Sequence, residues 1–152
     1  MKLFSLPIRF GIATSGSLIA YFLILSLFNL HINVFYSLFN AVITGFGIYE
    51  AIKYFKLQKG VSFNYGKGFT AGIVTGFVAT IIFTIFFAFY ATEINLGFLD
   101  QLSRVWFKDY NTSEGIVFFT VAIMGFATTL VLTLSFMQLF KGSNNPKRKT
   151  GA

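Results

Sequence analysis

From Gly68 to Thr92 the chain carries no charged side chain, and this stretch limits the available folds more than any other. Counting in fours from Gly68 gives Gly72, Gly76, Thr80, Thr84 and Ala88, with an offset row at Ala71, Thr75 and Ala79. On a helix these rows merge into one broad face of small residues, because positions three and four apart are surface neighbours. The residues between them include Ile73, Val74, Phe77, Ile81, Phe83 and Phe86. The segment is therefore apolar all round and, at about 20 residues, long enough to cross a bilayer. The pattern predicts a membrane-spanning helix over 68–91 that carries its own docking face.

Three more uncharged or nearly uncharged runs extend the reading. Phe10 to Leu30 follows Lys2 and Arg9 and predicts a first span. It is read as an uncleaved span, not a signal peptide, because the small cluster from Gly11 to Ala20 precedes the most apolar run, whereas a cleavage site follows it. The polar turn Asn29 to Asn33, with His31 at its centre, leads into a second span over 34–52. That span ends in Glu50, Lys53, Tyr54, Lys56 and Lys59, a charged and aromatic exit suited to a membrane interface. A fourth span covers 116–140, and a polar, basic tail follows over 141–152.

Composition supports one membrane domain, 1–140, and excludes several alternatives. Charged residues make up 11% of the 152-residue chain, against roughly 25% in soluble domains. With no cysteine and one histidine, the chain offers no disulfide framework, no thiolate site and no multi-imidazole metal site. The net charge of +7 has a simpler explanation than nucleic-acid binding. Of the 12 Lys and Arg, two lie before the first span, four in the second connection, two in the third and four in the tail. Ten thus fall on one side and two on the other, which predicts a four-helix transmembrane bundle, all-α, with both termini cytoplasmic. Lys53, Lys56, Lys59 and Lys67 then lie at the cytoplasmic interface, where they can meet anionic lipid headgroups.

The third connection, Glu93 to Gly115, places Phe98, Leu99, Leu102, Val105 and Trp106 on one helical face. Asp100 and Arg104, four apart, lie on the other side. Two readings stand: a short amphipathic helix on the membrane surface with Trp106 at headgroup depth, or a loop with one helical turn.

Lipid tails are as apolar as leucine, so helices in a bilayer associate by close packing, and small residues allow it. Gly68, Gly72, Gly76 and Thr80 in span three, with Gly11, Gly16 and Ala20 in span one, are the expected packing residues. The two sets lie at the same depth and should touch each other or a second copy. A strict four-residue row drifts by about 40° per step against 3.6 residues per turn, which predicts two partners or a short crossing.

Catalytic chemistry finds little support. No charged residue falls at mid-depth, where such residues mark ion pathways. Glu50 reads as an interfacial residue and His31 as a plain turn residue. No catalytic, cofactor or metal-binding residue is assigned, no cofactor is expected, and the chain is read as no enzyme. Thr80, Thr84, Thr128, Thr129 and Thr133 could line a polar seam, which makes a small-solute channel or transporter the alternative to a packing or interaction subunit. The expected partners are the bilayer and either a second copy or another membrane protein.

Gly47 to Glu50, Val61-Ser62-Phe63 before Gly66 and Gly68, the glycine-striped third span, and Tyr90 to Leu102 with Ile94-Asn95 and Phe98-Leu99 carry a resemblance. Together they resemble an uncharacterised domain-of-unknown-function family of small four-span membrane proteins from Bacteroidetes, over about Arg9 to Phe140. The resemblance implies a multi-pass protein of the bacterial inner membrane and no catalytic residue. The outer connection is shorter than the family tendency.

Overall fold

The computed structural model describes residues 2–106 and 113–141, and every element within them is helical. Five α-helices follow in order: α1 (Lys2–Leu27), α2 (Val34–Lys59), α3 (Tyr65–Phe89), α4 (Phe98–Trp106) and α5 (Glu114–Phe140). All but α4 are long and apolar enough to cross a membrane, so the protein is a four-helix transmembrane bundle.

The helices are longer than their apolar cores. α1 begins before the expected span, taking in Pro7 and Arg9. α2 runs on through Glu50, Lys53, Lys56 and Lys59, so the basic exit is the last turns of a helix and not a loop. Local chemistry sets the ends. Asn33 caps α2 by accepting the Phe35 N–H at 3.0 Å, and Asn64 caps α3 by accepting the Lys67 N–H at 2.9 Å. Gly60 stops α2 with φ of +50°, a backbone state that side chains disfavour. α3 leaves through a wider π turn, Tyr90–Ile94.

α3 is the central strut, packing against α1, α2 and α5. α1 and α3 run parallel, from the end bearing the lysines of the second connection to the end bearing α4; α2 and α5 run the other way. The two ends are the basic end and the α4 end. Much of the interior is small or hydroxylated: Thr14, Ser15, Thr44, Ala71, Thr75 and Ala79 are buried. Bulkier side chains such as Phe35, Phe46, Ile85 and Phe119 face outward. That inversion of a soluble core is what a lipid solvent permits, since apolar surface gains nothing by leaving the acyl chains.

α4 forms, and Phe98, Leu99 and Leu102 on its apolar face are buried. They pack on Phe22, Phe87, Tyr90 and Val117. The helix therefore covers the end of the bundle instead of lying with that face in lipid. The side chain of Trp106, and residues 107–112 and 142–152 with the basic tail, fall outside the described residues.

Candidate functional site: the glycine face and the hollow above it

The small face of α3 divides between two neighbours. The row of fours meets α5: Gly68 faces Met137, Gly72 faces Thr133, Gly76 faces Thr129, and Thr80 faces Gly125. Each step of four along α3 is matched by a step of four back along α5, so the antiparallel pair is fixed in one register. A Cβ on Gly72 would lie 2.6 Å from the Thr133 methyl. The space that a Cβ would take is filled by the threonine side chains, methyl and hydroxyl together. The Thr129 and Thr133 hydroxyls have no hydrogen-bond partner.

The face has two partners, as the four-residue period predicts, and α5 is seen against four of the six positions of the row, not all of it. α5 follows it through four residues because it uses a four-residue row of its own. Two such rows interlock, as in the commonest class of helix packing. The offset row takes the second partner. Thr75 donates both to its own Ala71 carbonyl at 2.9 Å and to the Pro7 carbonyl of α1 at 3.1 Å, one hydroxyl shared between them.

Span one splits likewise. Gly11 is buried where α1 and α3 touch; a Cβ there would lie 2.8 Å from the Thr75 carbonyl oxygen. Gly16 and Ala20 do not join it. Both are exposed, and a Cβ on Gly16 would meet nothing within 4 Å. The reason is angular: at about 100° per residue Gly16 lies about 140° round from Gly11, and Ala20 about 180°. The residues that do share the inner face are Thr14, Ser15, Leu18, Phe22 and Leu25. Gly47 and Gly125 are packing residues that the sequence reading left out: Gly47 accommodates Thr14 of α1, and Gly125 accommodates Thr80. Gly125 could have been found by counting back in fours from Met137 through Thr133 and Thr129.

The lysines spread over aromatic rings at the basic end. Lys53 pairs with Glu50 at 3.2 Å and lies near the Tyr49 and Tyr54 rings, while Lys56 lies near Phe63 and Phe140 and Lys59 near Phe55. Lys67 donates to the Ser62 carbonyl at 2.8 Å. Stems on apolar surface with heads at the rim are what interfacial lysines do.

Toward the α4 end the bundle opens. At Gly45 a Cβ would meet Leu132 and Phe136 of α5 at 3.6 Å, beside an open groove that Gly45, Phe46, Leu132 and Phe136 line, and above that level a second space opens between α2 and α5. Between them is a hollow of about 250 Å³, walled by Ala41 and Thr44 of α2 and by Val121 and Met124 of α5. Leu18 and Phe22 also line it, as do Phe98 and His31 at the α4 end and Thr80 and Gly125 toward the middle of the bundle. The expected threonine seam therefore divides: Thr80 and Thr128 line the hollow, and Thr129 and Thr133 fill the glycine face.

His31 is not a plain turn residue. Asn29 turns the chain with φ of +54°, and the imidazole is buried, stacked on Phe98 with centroids 4.9 Å apart and edge-on to Phe22 and Tyr90. Neither ring nitrogen has a hydrogen-bond partner. Burial holds its pKa below the usual histidine value, which keeps the ring neutral. Among the described residues no cluster of His, Asp or Glu could hold a metal ion. Comparison of the chain with protein-family models, curated proteins and solved structures finds no match.

Proposed function

We propose that this is a non-enzymatic membrane protein that works by contact, as a self-associating bundle or as the small subunit of a larger membrane assembly. One observation carries the reading. The glycine face of α3 is occupied within the bundle, yet α1 turns a second set of small residues outward. Gly16 and Ala20 are exposed, four apart, and lie between exposed Ile12 and Ile24 in the same row of fours. That makes a notch in a ridge, the shape that lets another helix backbone come close.

The setting we propose is the bacterial inner membrane, in the family that the chain resembles, with both termini and the lysine-rich end cytoplasmic. The sorting of ten basic residues to one side supports that orientation, and anionic headgroups would suit the lysines.

The test is Gly16→Leu in the full-length protein, with oligomeric state measured by native mass spectrometry and by photobleaching in nanodiscs. Association should weaken by about tenfold or more, equivalent to about 1.4 kcal/mol, with the melting temperature unchanged. A protein that is monomeric at every density would refute self-association, and an association, with itself or with a co-purifying subunit, that ignores the substitution would refute the role assigned to this face.

A further inference from the structure

We infer that the hollow between α2 and α5 binds one hydrocarbon chain of a membrane lipid, with the lipid's ester region level with His31. This goes beyond the contact role proposed above and does not depend on it.

Four observations lead there. First, the lining carries no charged residue, so it suits no ionic ligand. Second, the hollow lies between two helices whose flanking side chains, Leu38 and Met124, are themselves exposed to the surrounding lipid. What reaches that gap first is an acyl chain. Third, the dimensions agree. Along α5 the lining runs from Val117 to Thr128, a rise of about 16 Å at 1.5 Å per residue. Half of a hydrocarbon core about 30 Å thick is about 15 Å, the depth of one leaflet's chains. The hollow's deepest residue on α5 is Thr128, just past the contact of Thr80 with Gly125.

The fourth observation is polar. His31 lines the hollow, is only 7% exposed, and leaves both ring nitrogens without a partner. A buried polar group left unpaired is costly, and more so where the surroundings are hydrocarbon. Being neutral, the ring can donate from one nitrogen and accept at the other. An ester carbonyl or glycerol hydroxyl provides the complement at this level, while Ala41, Val121 and Met124 contact the chain below it. Asn40, also on the wall, has an unpartnered amide oxygen. A packing defect needs no such polar rim, and the volume is far above the roughly 10–15 Å³ that admits a single water.

The full-length protein, reconstituted in phosphatidylcholine vesicles, can be irradiated with either of two trace phospholipids. One carries a diazirine beside the acyl carboxyl, the other near the chain's methyl end. Peptides containing His31 and Phe98 should take the first label, and those containing Thr80 and Gly125 the second. Ala41→Phe and Val121→Phe fill the hollow from opposite walls. Each should cut this labelling by about tenfold, equivalent to about 1.4 kcal/mol, with labelling of lipid-facing Ile85 unchanged. If one variant fails to fold, the other and the depth order in the unaltered protein still decide.

Labelling spread evenly over all outward faces, or without depth order, would overturn the proposal. So would rapid reaction of Ala41→Cys, the sole thiol in a chain that has none, with a water-soluble maleimide, since that marks a hydrated vestibule.

Discussion

At the basic end α3 meets α5 through Gly68, Gly72 and Gly76, whereas toward the α4 end Phe83 and Phe87 of the same helix, with Tyr90 of the π turn that follows it, spread against Phe22 and Phe98. Along the glycine face, one half brings backbones together and leaves no room between α3 and α5. The other interposes rings edge to face, with Phe22 to Tyr90 centroids 4.9 Å apart, and leaves a hollow beside them. Both halves are apolar, so hydrophobicity does not distinguish them. Side-chain size along a single helix decides where the bundle is closed and where it opens, because in lipid the gain comes from contact and not from leaving water.

The comparison is broken most severely at the closed half. Gly76→Leu, or Gly72→Leu, forces a side chain into space filled by Thr129 or Thr133, short β-branched side chains with no flexible end to swing aside. Overpacking usually costs about 1–3 kcal/mol, and these sites should reach the upper end of that range or exceed it. Thermal unfolding in mild detergent measures it, with Gly66→Leu as control because a Cβ there meets only the Asn64 side chain at 3.8 Å. Equal stability of all three proteins would dissolve the distinction between the halves.

Phe22→Ala strikes the open half and should do less. It deletes a ring that touches His31, Phe83, Phe86, Phe87, Tyr90 and Phe98. In soluble cores such a deletion costs about 3–5 kcal/mol, part of it transfer from water. Here the unfolded reference still keeps the ring in lipid, so the loss should be below about 3 kcal/mol, and below that of Gly76→Leu in the same melt. A larger loss than Gly76→Leu would reverse which half stabilises the fold.

The smallest effect is a dependence on pH. The unfolded His31 titrates near 6.5, and burial lowers the folded value beneath that. Below pH 6.5 the unfolded chain therefore takes up a proton that the folded one refuses, so stability is full above about pH 7 and declines as pH falls through 6.5 toward the folded pKa. Melting temperature followed from pH 8 to 5 should show this decline in the native protein, and His31→Phe should remove it. An identical profile in both would place the titrating group elsewhere.

Much of the bundle was legible in the sequence, because charge-free runs and the placement of lysine need only one-dimensional counting. The four spans come from that, and Gly68, Gly72 and Gly76 from counting in fours, whereas the segment at Phe98 stays open in the sequence between a helix and a loop with one turn. Partners are harder. That α5 follows four positions of the row of fours depends on Gly125, Thr129 and Thr133 repeating the same interval, which is visible only when two helices are compared. Gly16 and Ala20 were grouped with Gly11 by depth when their angle about the axis separates them. His31 was hidden most deeply: between Asn29 and Asn33 it reads as solvent-exposed, and only the aromatic neighbours brought from three other segments reveal its burial. An amphipathic helix such as α4 also gives no sign of whether its greasy side meets lipid or protein.

The fixed register between α3 and α5 governs how the bundle can move. Sliding one helix by a single residue shifts it about 1.5 Å, which carries Gly72 and Gly76 off the Thr133 and Thr129 side chains they admit, and sliding by a full turn in one direction would oppose Thr80 to Thr129. Small axial slips are thus resisted at four contacts at once, from Gly68 against Met137 to Thr80 against Gly125.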